Sequence, residues 1–91
     1  MSLLPPGPAH LDEGYFVAPT VFRDVDPGMR IAQEEIYGPV LSILRYDDAD
    51  HAVAVANDSR YGLGGAVFGV DEQRAVEVAR RIETGNISVN L

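Results

Sequence analysis

Glu34 and Glu35 stand side by side in QEEIYGPVLSI, residues 33–43, with Tyr37, Gly38 and Pro39 close behind. A carboxylate has two acceptor oxygens and can take two neighbouring hydroxyl donors at once. A ribose diol is a ligand of that kind. The Gly-Pro pair would fix the approach of the backbone and let the Tyr37 ring face outward. The same residues also read as a solvated helix end, the ordinary fate of surface carboxylates. Residue types and spacing leave both readings open.

The other candidates are weaker. YGLGG, residues 61–65, lacks the G-x-G-x-x-G spacing and a helix opening from it. Turn chemistry and close strand–helix packing account for it better. His10 and His51 are isolated, which argues against a metal site. Asn57-Asp58-Ser59 and Asn86-Ile87-Ser88 match the glycosylation sequon and read as chance matches, because no secretory signal precedes them. No Ser/His/Asp nucleophile set can be assembled. The chain has no cysteine, which removes disulfides, thiolate metal sites and a thiol nucleophile. The expectation is no catalytic residue and no metal ligand, with a reducing cytoplasm as the location.

Composition narrows the partners. The net charge is −7, and the seven basic residues are all arginines dispersed along the chain. Nucleic acid is therefore an unsuitable partner, since phosphate neutralisation needs a basic patch. No apolar run approaches the roughly 18–20 residues that span a bilayer, so no membrane association is expected. Ninety-one residues with 46% hydrophobic content suit one small domain with a modest core.

Several short elements must position the acid pair. Residues 1–13 carry three prolines and a glycine and read as an irregular segment, and the Met-Ser-Leu start resembles a vector-derived one. The domain proper would be residues 14–91. APTVFRDV (18–25) suits a strand. Asp26 could cap a short helix over MRIAQEEI (29–36) with Pro27 at its first position. VLSILRY (40–46) and GGAVFGV (64–70) are nearly continuous apolar runs, as in strands buried on both faces. Asp47 or Asp48 can cap a helix whose stripe is Ala49, Ala52, Val53 and Ala56. Asp71 caps a second, striped by Ala75, Val78, Ala79 and Ile82. Arg80 and Arg81 sit in its last turn, and Gly85 is placed as a left-handed stop. NISVN (86–90) is a final strand. Alternation of apolar strands with helices predicts an α/β fold, a partial, open and mostly parallel sheet with covering helices.

At this point four segments together resemble one family. GYFVAPTVF, MRIAQEEIYGPVLSI, AVAVANDSRYGLGGAVF and ARRIETGNISVN follow one another as in the NAD(P)-dependent aldehyde dehydrogenases. The similarity runs from about Gly14 to Asn90. It implies that Glu35 binds the nicotinamide-ribose hydroxyls of NAD or NADP, and that Tyr37 lies beside the nicotinamide end. Phenylalanine is more usual at the place of Tyr37, and its extra hydroxyl would need a partner or water if buried. In that family a cysteine thiolate attacks the aldehyde, hydride passes to the cofactor, and water releases the acid. The resemblance covers only the C-terminal-side part of the catalytic domain, without that cysteine or the dinucleotide-binding domain. The chain by itself is expected to be inactive and to hold no cofactor, the aldehyde being a partner of the parent enzyme only. Incompletely covered strands are expected to make it a homo-oligomer. The alternative is a standalone, non-catalytic α/β interaction module of the same descent.

Overall fold

A computed structural model describes the backbone of Ser2 and Leu3, then Gly14 and residues 16–91. Within these limits the chain divides into two compact units, 1–45 and 46–91, a division inside the stretch read from sequence as one domain.

The first unit is built on two parallel strands, β2 (Thr20–Arg23) and β3 (Val40–Ser42), paired Thr20 to Val40, Val21 to Leu41 and Phe22 to Ser42. Ser2 and Leu3 form a two-residue strand, β1, antiparallel to β2 at Arg23 and Phe22. An irregular segment was expected there, and the rest of 1–13 lies outside the described residues. Parallel strands require a crossover, and the short helix α1 (Arg30–Gln33) lies on the path between them. The ladder continues irregularly beyond the strands. The Ile43 N–H donates to the Phe22 carbonyl at 2.8 Å, and the Val25 N–H donates to the Ile43 carbonyl at 3.2 Å. This buries Val25, at 4% exposure the centre of the unit.

Asp26 does not cap α1. Its carbonyl accepts the Met29 N–H at 3.0 Å and closes a turn containing Pro27. Met29 takes the N-cap position without a side-chain bond. The helix also stops earlier than the predicted residue 36. Its last bond runs from the Glu34 N–H to the Arg30 carbonyl at 2.8 Å, and Glu34 is already extended, with φ −112° and ψ 143°. Two adjacent carboxylates oppose the negative end of a helix, so they are poor residues with which to prolong one.

The second unit contains α2 (Ala49–Asn57), β4 (Gly64–Val67), α3 (Glu72–Ala79) and β5 (Asn86–Val89). β4 and β5 are parallel, with Gly64 opposite Asn86 and Val67 opposite Val89. Both helices carry the expected caps. Asp48 accepts the His51 N–H at 2.7 Å, and Asp71 accepts the Arg74 N–H at 3.2 Å. Each cap satisfies one of the orphan donors of a first turn. Val53, Ala75 and Ala79 are the buried apolar residues. α3 ends at Ala79, so Arg80 is its C-cap and Arg81 lies just beyond.

Gly85 is not left-handed: among the described glycines, Gly14 alone has positive φ. Gly85 permits close approach instead. Its N–H donates to the Gly62 carbonyl at 2.8 Å, and an added Cβ would stand 3.4 Å from the Leu63 carbonyl oxygen. A Cβ at Gly62 would come within 3.1 Å of the Glu83 carbonyl oxygen. Asn57 completes this junction. Its amide donates to the Arg81 carbonyl at 2.9 Å and accepts the Glu83 N–H at 2.8 Å. The tail of α2 is thereby tied to the turn that feeds β5.

The expected α/β class and parallel pairing are present, as two short sheets ordered β1-β2-β3 and β4-β5. The strands are shorter than the apolar runs and are not buried on both faces. Leu41 of β3 is 58% exposed, and Phe68, just past the end of β4, is 70% exposed. The short elements of this chain cannot cover both faces of every strand.

Asn57→Ala leaves an amide and a carbonyl of the 81–83 turn without their partners. At about 0.5–1.5 kcal/mol for each of the two bonds, urea denaturation should show a loss of about 1–3 kcal/mol. An unchanged midpoint would mean that the clamp adds nothing to stability.

Candidate functional site

The acid pair lies on the connection between α1 and β3. Both ends of this connection are held. On the helix side, Gln33 Nε2 donates to the Pro27 carbonyl at 2.7 Å, and Ser42 Oγ of β3 donates to the Ile31 carbonyl at 3.2 Å. On the strand side, the Val40 N–H donates to the Gly38 carbonyl at 2.8 Å across Pro39. A bond between residues two apart is that of a γ-turn, and the fixed φ of proline suits its inverse form. The Pro39 carbonyl in turn accepts the Thr20 N–H at 2.8 Å, where β2 meets β3. Pro39 sets this turn. Gly38 has no left-handed φ, and a Cβ placed there would meet nothing within 4 Å.

The two glutamates differ in environment. Glu34 is half-buried and forms an ion pair with Arg30, one helical turn earlier. The hydrogen bond from Arg30 to Glu34, and then the attraction of the two charges, raises the guanidinium pKa above its ordinary value. Glu35 is exposed, and its carboxylate has no hydrogen-bond or ion-pair partner among the described residues. Tyr37 is 90% exposed, so its ring faces outward and its hydroxyl is open to water. Arg30, Ile31, Glu34, Glu35 and Ile36 line a shallow cleft of about 250 Å³. Tyr37 lies outside it. The structure therefore presents both sequence-predicted residues on one tethered connection, without enclosing them in one cavity.

The donor set fits a ribose diol in one respect: the Glu35 oxygens are accessible acceptors on a fixed backbone. Among the described residues, the wall of this cleft carries no thiol, hydroxyl or imidazole.

A second cleft, of about 400 Å³, lies within the other unit, between the first turns of α2 and α3 and the end of β4. Sequence reasoning had not singled it out. Its only sequence signals were the two cap residues, Asp48 and Asp71, and the apolar pair Phe68 and Val70, all on its wall. Both carboxylates are engaged in capping, so they are not poised for chemistry. His51 is also used locally, its Nδ1 accepting the Asp47 N–H at 3.0 Å. His10 lies outside the described residues. Among the described residues no helix is long and apolar enough to cross a membrane.

Comparison with known proteins identifies the family of the chain. The model of the aldehyde dehydrogenase family matches residues 1–91. Geranial dehydrogenase of Castellaniella defragrans is 61% identical over 79 residues, covering 87% of this chain and 16% of that protein. Aldehyde dehydrogenase C of Pseudomonas syringae, solved as a cysteine-to-alanine mutant with NAD+ and octanal, superposes with a TM-score of 0.89 at 48% identity, over 98% of this chain and 19% of that one. The Mycobacterium tuberculosis aldehyde dehydrogenase, solved with NAD+, gives a TM-score of 0.89 and 48% identity, over 97% of this chain and 19% of that one. The chain thus spans under a fifth of the length of these relatives, and it belongs to the aldehyde dehydrogenase family.

Proposed function

We propose that these residues form the part of an NAD(P)-dependent aldehyde dehydrogenase that holds the nicotinamide ribose. The observation that carries this reading is the exposed Glu35 carboxylate on a connection tethered at both ends. The parent activity would be oxidation of an aldehyde to a carboxylic acid. When bound, the nicotinamide would accept the hydride of the aldehyde. Glu35 would accept hydrogen bonds from the ribose hydroxyls and so orient the ring. Tyr37, with its face open two residues later, would border the nicotinamide end. The relatives solved with NAD+ support this assignment of cofactor. Choice between NAD and NADP depends on the ribose 2′ position, which the fold family reads elsewhere.

The 91 residues contain no cysteine to attack an aldehyde. They are therefore expected to be inactive alone, and the exposed apolar strands favour a part of a larger subunit over a self-sufficient module. An absorbance assay at 340 nm with octanal and NAD or NADP should show no turnover above the blank. Reproducible turnover by pure chain would overturn the proposal.

In the full-length enzyme carrying these residues, Glu35→Gln weakens the ribose contact that positions the nicotinamide. Positioning losses reach on the order of 10–100-fold in rate. Single-turnover hydride transfer should slow by about that much, with a smaller change in cofactor affinity. An unaltered hydride-transfer rate would remove Glu35 from its role.

The chain alone should also self-associate. Leu41, Phe68 and Val70 leave apolar surface in water, and unpaired strand edges are templates for another chain. Light scattering at micromolar concentration should report a mass well above the 9.8 kDa monomer. A dispersed monomer would instead favour an autonomous module.

A further inference from the structure

Glu35 has a like-charged neighbour, and the structure shows how that neighbour is kept from interfering. Glu34 and Glu35 both border the 250 Å³ cleft. An adjacent second carboxylate would compete for the same donors and repel the first. Arg30 lies on the same cleft wall, and its guanidinium is bound to Glu34 across one turn of α1. Glu34 closes the helix with extended backbone, and its carboxylate is the one of the two that pairs with Arg30. One acid is thus neutralised and turned back onto the helix, and the other remains as the acceptor.

We infer that Arg30 is a positioning residue: by holding Glu34 in an ion pair, it makes Glu35 the sole carboxylate available to the cofactor diol. The inference rests on the role proposed above for Glu35. Arg30 acts through Glu34, to which its guanidinium is bound. The order of the pair, with the cation on the N-terminal side, is the less favourable one for an isolated helix. Its placement is better accounted for by what it does to Glu34 than by any gain in helix stability. Arg30 is 89% exposed in its side chain, so its replacement should not disturb the core.

The test uses the full-length enzyme carrying these residues. Single-turnover hydride transfer and the dissociation constant of NAD are measured for Arg30→Gln, Arg30→Lys, the double variant Arg30→Gln/Glu34→Gln, and Glu35→Gln. Exposed ion pairs are weak, so Arg30→Gln should slow hydride transfer by only about two- to fivefold, at an unchanged melting temperature. Arg30→Lys should keep most of the rate. The double variant should return to the wild-type rate, because it removes the surplus charge along with its neutraliser. A double variant as slow as Arg30→Gln would overturn the inference, since that is the result of a merely structural arginine. So would a wild-type rate for Arg30→Gln alongside a slow Glu35→Gln. A wild-type rate for Glu35→Gln would instead sink the ribose reading on which the inference stands.

Discussion

The hydrogen bond from the Thr20 N–H to the Pro39 carbonyl is the constraint from which the first unit follows. It joins the start of β2 to the start of β3 in parallel, and a parallel pair obliges the intervening chain to cross back. Sixteen residues, 24–39, must make that return, which leaves room for one turn of helix and two tight bends. The helix is accordingly short, and the acid pair falls on the way back to the sheet. Proline at 39 reinforces this outcome twice. It has no N–H to leave unsatisfied, and its fixed φ suits the γ-turn that redirects the chain into β3.

The same logic explains what could be seen in the sequence. Cap residues act through bonds to donors two or three positions away, so Asp48 and Asp71 were legible. The alternation of helical stripes and apolar runs was legible too, because it has a period. The failures share a cause. Asp26 had cap chemistry available, yet the chain first makes a turn over 26–29, so the helix starts later and Met29 stands at its N-cap. Gly85 looked like a helix stop but serves a contact with Gly62, a residue 23 positions earlier in the chain. Nothing local to either residue announces such competition.

The site shows the same division. Glu35 and Tyr37 could be singled out from their motif, and both are exposed. The pairing of Glu34 with Arg30 was not anticipated, although the two are four residues apart. A helix predicted to run through residue 36 would have made Glu34 an interior position. It is instead the residue at which the helix ends, so its side chain folds back along the turn it has just left. The Tyr37 ring was expected to face outward, with its hydroxyl needing a partner or water only if buried. At 90% exposure the residue leaves that hydroxyl to water.

The two units hold little apolar interior: Val25 in one, Val53, Ala75 and Ala79 in the other. Burial at about 25 cal/mol per Å² gives such small side chains limited weight against conformational entropy. What is well defined is held instead by directed bonds between polar groups and nearby backbone, at Gln33, Ser42, Asn57, Asp48, Asp71 and Asn90. Asn90 is typical. It takes a left-handed conformation with φ 58°, and its Oδ1 accepts the Gly69 N–H at 2.8 Å, so that the end of β5 is joined to the end of β4. Such bonds contribute little net stability each, but they specify geometry at short range. A connection fixed in this way can keep a carboxylate aimed while the strands beside it still lack cover. The relatives matched are about five times longer, and in this chain local bonds set the shape of the connection that carries the acid pair, with little burial to help them.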